Sequence, residues 1–225
     1  MVNIAALTTN ATSGLLSEVW AQDLRPMLPD YNVKVYAAFE DLTDEQIKTE
    51  YAPPPGKDSE DDIIVAELKN AEVAPLSRDK GLPLVQKAVT QCVEDGADAV
   101  IIMCTMPFPK FESKVPVIVP YDALHWFVPA IGNGLKVGAL FAFEASAAWQ
   151  ERTWTKHGLD MVCKCLHHSQ AEPAAIAKLF ENDNIDMLIL DCIGYSTYHR
   201  EVQKLLNIPV IHPKTLVAQL LKAMF

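Results

Sequence analysis

The chain has 225 residues, half of them apolar, and carries a formal net charge of −10. That length suits one large domain or two small lobes, and no apolar run approaches the roughly 18 residues of a membrane-spanning helix. The negative charge and the absence of a Lys/Arg cluster in the sequence exclude a nucleic-acid-binding surface.

The five cysteines are dispersed along the sequence. The first ten residues, MVNIAALTTN, show neither the basic n-region nor the small-residue cleavage site of a signal peptide. We therefore expect a cytoplasmic protein whose thiols are reduced.

The first forty residues predict a β-α-β unit. Residues 2–7 are typical of a buried strand, which ends in the polar turn Thr8-Thr9-Asn10. Apolar residues at helical spacing follow over 15–24, and residues 33–39 predict the second strand.

Residues 41–76 break this pattern. Thr43 and Gln46 have the spacing of a capping box, which predicts a short helix up to about Tyr51. Apolar segments at 63–68 and 72–76 predict a small hairpin. We interpret this region as an insertion in the first lobe.

Helices and strands alternate over the rest of the chain. Helices are predicted at about 82–96, 122–131, 145–157, 172–181, 197–206 and 215–224, and strands at 99–103, 117–119, 136–143, 161–167, 187–191 and 209–211. Eight strands with intervening helices predict an α/β fold with two pseudo-symmetric lobes, each a four-stranded parallel sheet flanked by helices.

We place the first lobe at residues 1–132, the second at 133–213 and a C-terminal helix at 214–225, with packing back on the first lobe as one option for that helix. Ligands of such sheets bind beyond the carboxyl ends of the strands. We therefore expect the active site at the strand ends where Thr8, Cys104 and Cys192 lie; its position between the lobes is what the resemblance described below implies.

A repeated pattern marks this site. In each half an apolar strand runs into a cysteine, Cys104 or Cys192, and a Pro-Val-Ile-x-Pro segment follows, at 116–120 and at 209–213. Two matching cysteines at strand ends suit proton transfer at the carbon next to a carboxylate, since a thiolate takes the proton on one face and a thiol returns one on the other.

Several polar groups are expected to bind the carboxylate of the substrate. The hydroxyls of Thr8 and Thr105 follow strands, and Gly194 permits close approach of the backbone beside Cys192. Tyr195, His199 and Arg200 begin the helix after Cys192, and a guanidinium forks a carboxylate well. The insertion offers two more candidates, Tyr51 and Arg78. Such a site needs no metal and no cofactor.

Two plainer interpretations stay open. Cys104 and Cys192 are also explained as small core residues, because free cysteine is often buried. The segment CKCLHH at 163–168 resembles part of a zinc site, with two thiols on one face of a strand, but two further ligands are needed from elsewhere.

The chain resembles the AroM family within the Asp/Glu racemase superfamily. The resemblance covers nearly the whole chain and lies in CTMPFP at 104–109, DCIGYSTYHR at 191–200, the pair Gln150 and Trp154, and Leu76-Ser77-Arg78 after the acidic segment.

The resemblance implies two lobes that each present one cysteine to a central cleft. The superfamily's acid/base thiols map to Cys104 and Cys192, its first-strand hydroxyl maps to Thr8 or Thr9, and the residue after its first cysteine maps to Thr105. The sequence departs from the racemases at Ile193-Gly194-Tyr195, where they have Thr and then His or Glu, and at Phe143-Glu144, where many have Thr. The cleft is thus less suited to a dicarboxylate.

The expected function is that of a cofactor-independent racemase or isomerase acting on a small carboxylate. The resemblance adds the expectation of a homodimer, since dimers are common in the superfamily. The alternatives are a decarboxylase or cis–trans isomerase that uses one cysteine, a carboxylate-binding protein without catalysis, and a redox protein in which the two thiols bridge.

Overall fold

The computed structural model describes residues 1–59, 61–70, 72–196 and 198–225, with only the backbone given for residues 15, 16 and 145–148. The chain divides into two compact units, Met1–Val119 together with Phe225, and Pro120–Met224. The predicted α/β class is confirmed.

The first unit contains a four-stranded parallel sheet. Its strands and the two strands of the insertion are β1 (Val2–Thr8), β2 (Tyr31–Ala37), β3 (Ile63–Glu67), β4 (Val73–Ser77), β5 (Ala99–Ile102) and β6 (Val117–Ile118). Its helices are α1 (Leu15–Gln22), α2 (Asp44–Thr49) and α3 (Arg78–Glu94). The sheet order is β2-β1-β5-β6, and β3 and β4 form a separate antiparallel pair.

The central strands of this sheet are buried along their length. All four residues of β5 are fully buried, as are Ala6 and Leu7 of β1. A continuous apolar strand is typical of a parallel sheet with both faces covered, because both sets of alternating side chains then lie in the core.

The helix and the hairpin predicted between residues 41 and 76 are present as α2 and the pair β3–β4. Thr43 caps α2, since its hydroxyl accepts from the backbone N–H of Gln46 while the Gln46 side chain accepts from the N–H of Thr43. The hairpin pairs Ile64 with Leu76, and both side chains are fully buried. Alternate residues of each strand thus supply the apolar face that holds the hairpin on its unit.

The second unit repeats the architecture of the first. Its strands are β7 (Lys136–Phe141), β8 (Asp160–Cys165), β9 (Met187–Leu190) and β10 (Val210–Ile211), and its helices are α4 (Pro120–Ile131), α5 (Glu144–Thr155), α6 (Pro173–Phe180), α7 (His199–Leu206) and α8 (Pro213–Met224). The order of this sheet is β10-β9-β7-β8. With the hairpin left out and the strands of each sheet numbered along the chain, both sheets have the order second, first, third, fourth.

The observed division differs from the predicted boundary at residue 132. Leu124 and Val128 of α4 pack in one apolar cluster with Val137 of β7 and Ile189 of β9, so α4 belongs to the second unit. Helix α8 lies in that unit too, in contact with α4. The apolar side of α4 is the physical reason, because it completes the core of the second sheet.

The predicted start of the seventh helix at Thr197 lies outside the described residues, and the helix as described begins at His199. No helix in the described parts of the chain is long and apolar enough to cross a membrane.

Candidate functional site

Cys104 lies where the connections of the first sheet change direction. Strand β1 lies between β2 and β5, so the connections from β1 to β2 and from β2 to β5 run in opposite directions across the sheet. The crevice beyond the carboxyl ends of β1 and β5 is therefore the usual ligand site of an open α/β sheet. The backbone N–H of Met103 donates to the carbonyl of Leu7 at 2.8 Å, and Cys104, partly exposed, follows at once.

Arg78 is the charged group beside this thiol. Its Nη2 donates to the carbonyl of Pro107 at 2.6 Å, and its guanidinium lies 5.7 Å from the centre of the Phe108 ring. Burial lowers the pKa of Arg78, while the negative charges of Asp61 and of a Cys104 thiolate act in the opposite direction. A thiolate at Cys104 and the guanidinium therefore stabilise each other.

The insertion holds Arg78 in place. The backbone N–H of Ser77 donates to the carbonyl of Tyr51, and the N–H of Arg78 donates to the carbonyl of Asp62, both at 2.7 Å. Tyr51 thus contributes to the site through its backbone, and a contact of its side chain with substrate stays a prediction.

The hydroxyls of Thr8 and Thr9 have internal acceptors. Both residues are buried; Thr8 donates to the carbonyl of Tyr36 at 3.1 Å and Thr9 to the carbonyl of Val65 at 3.2 Å. A hydroxyl carries one proton, so donation to a substrate carboxylate would require breaking these bonds. The structure gives both side chains a role in joining the first-strand turn to its neighbours. Thr105 is 7% exposed directly after Cys104.

Glu67 is a titratable group near that turn that the sequence analysis did not single out. Its backbone N–H donates to Oδ1 of Asn10, and its own Oε2 is buried without a hydrogen-bond partner among the described residues. Burial raises the pKa of the Glu67 carboxyl. Its place at the end of a predicted hairpin strand did not mark it as special.

Cys192 occupies the equivalent position in the second unit, after β9 and beside the end of β7. The N–H of Asp191 donates to the carbonyl of Leu140 at 2.8 Å, and the chain then turns at Cys192, which is partly exposed. The backbone N–H of Gly194 donates to the sulfur of Cys192 at 3.4 Å. A donor aimed at the sulfur favours the thiolate form.

Gly194 packs closely beside this thiol. A Cβ at Gly194 would lie 3.3 Å from the ring of His168 and 3.5 Å from the sulfur of Cys192. His168 belongs to the CKCLHH segment, so the structure brings one of these histidines to Cys192. The pKa of His168 is lowered to about 4, chiefly by burial and then by the charges of His167 and Lys214.

Tyr195 and Arg200 are placed differently from the predicted binding role. Tyr195 is fully buried, and its hydroxyl donates to the carbonyl of Leu166 at 2.8 Å, so its ring packs in the core of the second unit. Arg200 is exposed and shares a surface depression with residues 207–209. Those residues precede β10 and so lie at the opposite edge of the sheet from Cys192.

Lys214 is a further residue that the sequence analysis missed. It is 1% exposed and follows β10, the strand next to β9. The one sequence signal is its position directly after the second Pro-Val-Ile-x-Pro segment, in the half that also contains Cys192.

The zinc interpretation of CKCLHH finds no support in the described residues, which contain no group of three His, Cys, Asp or Glu side chains able to hold a metal. Cys163 instead packs beside an apolar cluster that includes Trp154. Burial raises the pKa of its thiol to about 12 and also raises that of Cys165.

Comparison with known proteins gives one family match. Residues 17–225 match the family model described as AroM protein. No curated protein matches the sequence.

Solved structures of similar fold cover nearly the whole chain. Allantoin racemase from Klebsiella pneumoniae aligns over 100% of this chain and 87% of its own, with 15% identity and a TM-score of 0.61. Unliganded arylmalonate decarboxylase aligns over 100% and 91%, with 15% identity and a TM-score of 0.63. Glutamate racemase from Aquifex pyrophilus aligns over 100% and 84%, with 16% identity and a TM-score of 0.54. Racemases and a decarboxylase thus share this fold.

Proposed function

Because the chain belongs to the AroM protein family, as the match over residues 17–225 shows, and has a racemase-like fold, we propose that it is a cofactor-independent enzyme that moves a proton at a carbon next to a carboxylate. The proposed acid and base are the thiols of Cys104 and Cys192. The proposed substrate is a small carboxylic acid, and racemisation or epimerisation is the proposed reaction.

The observation that carries this proposal is a repeated position. In two sheets of identical strand order, a partly exposed cysteine follows the third strand, beside the end of the first strand. A thiol that serves only as a core residue has no reason to occupy the ligand-binding edge of both sheets.

The proposed chemistry balances without an external reactant. One thiolate takes the proton from the carbon next to the carboxylate, which leaves a carbanion whose charge spreads into the carboxylate. The second thiol then donates its proton to the opposite face of that carbon. The configuration is inverted and one thiolate replaces the other, so the next turnover proceeds in the reverse direction or after proton exchange with water.

Arg78 is the group that we assign to the developing negative charge near Cys104. Its guanidinium is partly buried and held by the carbonyl of Pro107, so it is already oriented before a substrate arrives. A preorganised cation in a site of low dielectric stabilises the carbanion more than water does.

The test is proton exchange in heavy water. A panel of small carboxylates, including 2-amino, 2-hydroxy and 2-aryl acids and malonates, is incubated with the protein in D2O, and NMR follows deuterium at the α-carbon. Chiral chromatography follows inversion. Cys104→Ser and Cys192→Ser are expected to lose inversion at least a hundredfold, since each removes one of the two proton-transfer groups.

Cys163→Ser is the matched control, because Cys163 also lies in the second unit but packs beside the core and should not affect turnover. Inversion that survives both active-site variants would remove the thiols from the mechanism. Carbon dioxide release from a malonate that depends on one cysteine alone would replace racemisation by decarboxylation. Saturable binding without exchange would make the protein a binder.

A further inference from the structure

Lys214 is a fully buried lysine at an electrostatically unfavourable place. It is 1% exposed and is the second residue of α8. An ammonium group there loses its hydration and faces the positive end of the helix dipole. Lysines are almost never buried in this way unless a negative charge compensates them.

The pairing of two strands brings Lys214 to the level of Cys192. Strands β9 and β10 are parallel, with Ile189 opposite Ile211, and Cys192 and Lys214 each follow three residues later. The ring of His212 donates from Nε2 to the carbonyl of Tyr195 at 3.0 Å, because its Nδ1 accepts from the backbone N–H of Lys214 at 3.1 Å. The segment that carries Lys214 is thereby bonded to the turn that begins at Cys192.

The charge of Lys214 reaches the surroundings of this thiol. Its positive charge is one cause of the lowered pKa of His168, and the ring of His168 and the sulfur of Cys192 pack around the same glycine, Gly194. The same charge contributes to the lowered pKa of His212, which burial brings to about 3. Both of these histidines are neutral near pH 7. The charges of His167 and His199 also contribute to their lowered pKa values, but both of those residues are partly exposed, whereas Lys214 is fully buried.

The carboxylate of Asp191, whose Oδ2 accepts from the indole N–H of Trp154 at 2.9 Å, is one negative charge at this edge of the sheet. The sulfur of Cys192 is the other group at this edge that becomes an anion. We propose that the buried ammonium group of Lys214 holds Cys192 as a thiolate and so makes Cys192 the proton acceptor of the reaction. The role of Cys192 as proton acceptor rests on the proposed function, whereas the effect of Lys214 on the charge state of the thiol does not. Lys214 acts through Cys192 and needs no contact with substrate.

The test is the pH dependence of alkylation at Cys192. Iodoacetamide is applied between pH 5 and 10, and mass spectrometry follows the tryptic peptide of residues 179–200, in which Cys192 is the sole cysteine. A free cysteine has a pKa of about 8.5, and an opposite charge nearby shifts such a value by about 1–3 units. The wild-type protein should therefore reach half of its maximal rate at least about one pH unit below 8.5.

Lys214→Met keeps the apolar stem and removes the charge. It should shift the half-maximal rate upward by about one pH unit or more and slow alkylation at pH 7 roughly tenfold. Lys214→Arg should keep the wild-type profile. Lys222→Met, at an exposed lysine of the same helix, is the matched control and should change nothing.

Circular dichroism and thermal melting show whether each variant is folded. A folded Lys214→Met protein with the wild-type alkylation profile would overturn the proposal. A wild-type profile centred at or above about pH 8.5 would overturn it too, and this measurement does not depend on any variant folding. Alkylation needs no substrate, so a shifted profile without α-carbon exchange would sink the proposed function and leave the role of Lys214 standing.

Discussion

Position decides what each thiol of this chain can do. Burial raises the pKa of Cys92 and of Cys163 to about 12, so both are protonated and unreactive at neutral pH. Cys104 and Cys192 instead follow the carboxyl ends of buried strands, where ligands of parallel sheets bind. Each has a cation in its own unit, Arg78 for the first and Lys214 for the second. A cation favours the thiolate, which is the form that accepts a proton, and in the proposed reaction Lys214 favours this form at Cys192 while Arg78 stabilises the carbanion near Cys104.

Replacing Arg78 tests the first of these cations. Arg78→Met should lower kcat/KM about tenfold or more, since it removes the charge assigned to the developing carbanion near Cys104, and truncation of a partly buried charge contact costs on the order of 2 kcal/mol. Steady-state kinetics with the acid identified by the exchange panel measures this effect.

Arg78→Lys is the conservative control and should restore part of the loss, because it keeps the charge but not the fork that holds the Pro107 carbonyl. An unchanged KM and kcat in a folded Arg78→Met protein would show that the guanidinium only braces the loop at residues 104–109.

At the scale of single elements, the insertion is the part that prepares the first site. Its helix α2 and hairpin β3–β4 lead directly into α3, and the carbonyls of Tyr51 and Asp62 hold the backbone at Ser77 and Arg78. The insertion therefore fixes the backbone from which the Arg78 side chain extends, and we propose that this orients the guanidinium.

The capping box of α2 gives a measure of how stable this element is. Thr43→Ala removes the acceptor for the N–H of Gln46 and should lower the free energy of unfolding by about 1 kcal/mol. Urea denaturation followed by circular dichroism measures the difference. Thr43→Ser keeps the hydroxyl and should lie within about 0.5 kcal/mol of the wild type; equal losses in both variants would exclude capping as the cause.

At the scale of the whole molecule, the repeat of sheet order is the main structural fact. Each unit builds its own core and its own thiol site from the same sequence of strands, with third and first strands adjacent. The second unit also contains histidines whose surroundings disfavour the protonated ring. Burial lowers the pKa of His125 and of His212 to about 3 and that of His168 to about 4.

These histidines predict how stability depends on pH. An unfolded histidine binds a proton below about pH 6.5, whereas buried His212 stays neutral until about pH 3. The unfolded state thus binds more protons than the folded state between about pH 6.5 and pH 3. The contribution of His212 to the free energy of unfolding is therefore complete above about pH 6.5 and is lost as the pH falls towards 3. Each such histidine contributes a slope of about 1.4 kcal/mol per pH unit.

His212→Gln should remove one such slope. Urea denaturation at pH 7, 6, 5 and 4.5 should show the wild type losing about 1.4 kcal/mol more per pH unit than the variant below pH 6. Parallel stability curves for the two proteins would mean that His212 titrates alike in the folded and unfolded states. The difference in free energy of unfolding between the wild type and the variant at pH 7 and at pH 8 serves as the control. It should be nearly the same at both values, because His212 is neutral there in the folded and the unfolded state.

The amino-acid sequence by itself determined the secondary structure, the two repeated sheets, the insertion and the position of one cysteine after each third strand. These are local or repeated features, encoded in the spacing of apolar residues and in residues such as Thr43 and Gln46 that act on their own segment. Periodicity tells which side of a helix or strand is buried, but not what it is buried against.

Only the tertiary structure decided the rest, because it depends on contacts between residues far apart in sequence. It assigned α4 to the second unit, directed the protons of Thr8 and Thr9 to carbonyls and buried Tyr195 in a core. It also placed Lys214 at the level of Cys192, since two parallel strands about twenty residues apart in sequence end at the same edge of one sheet.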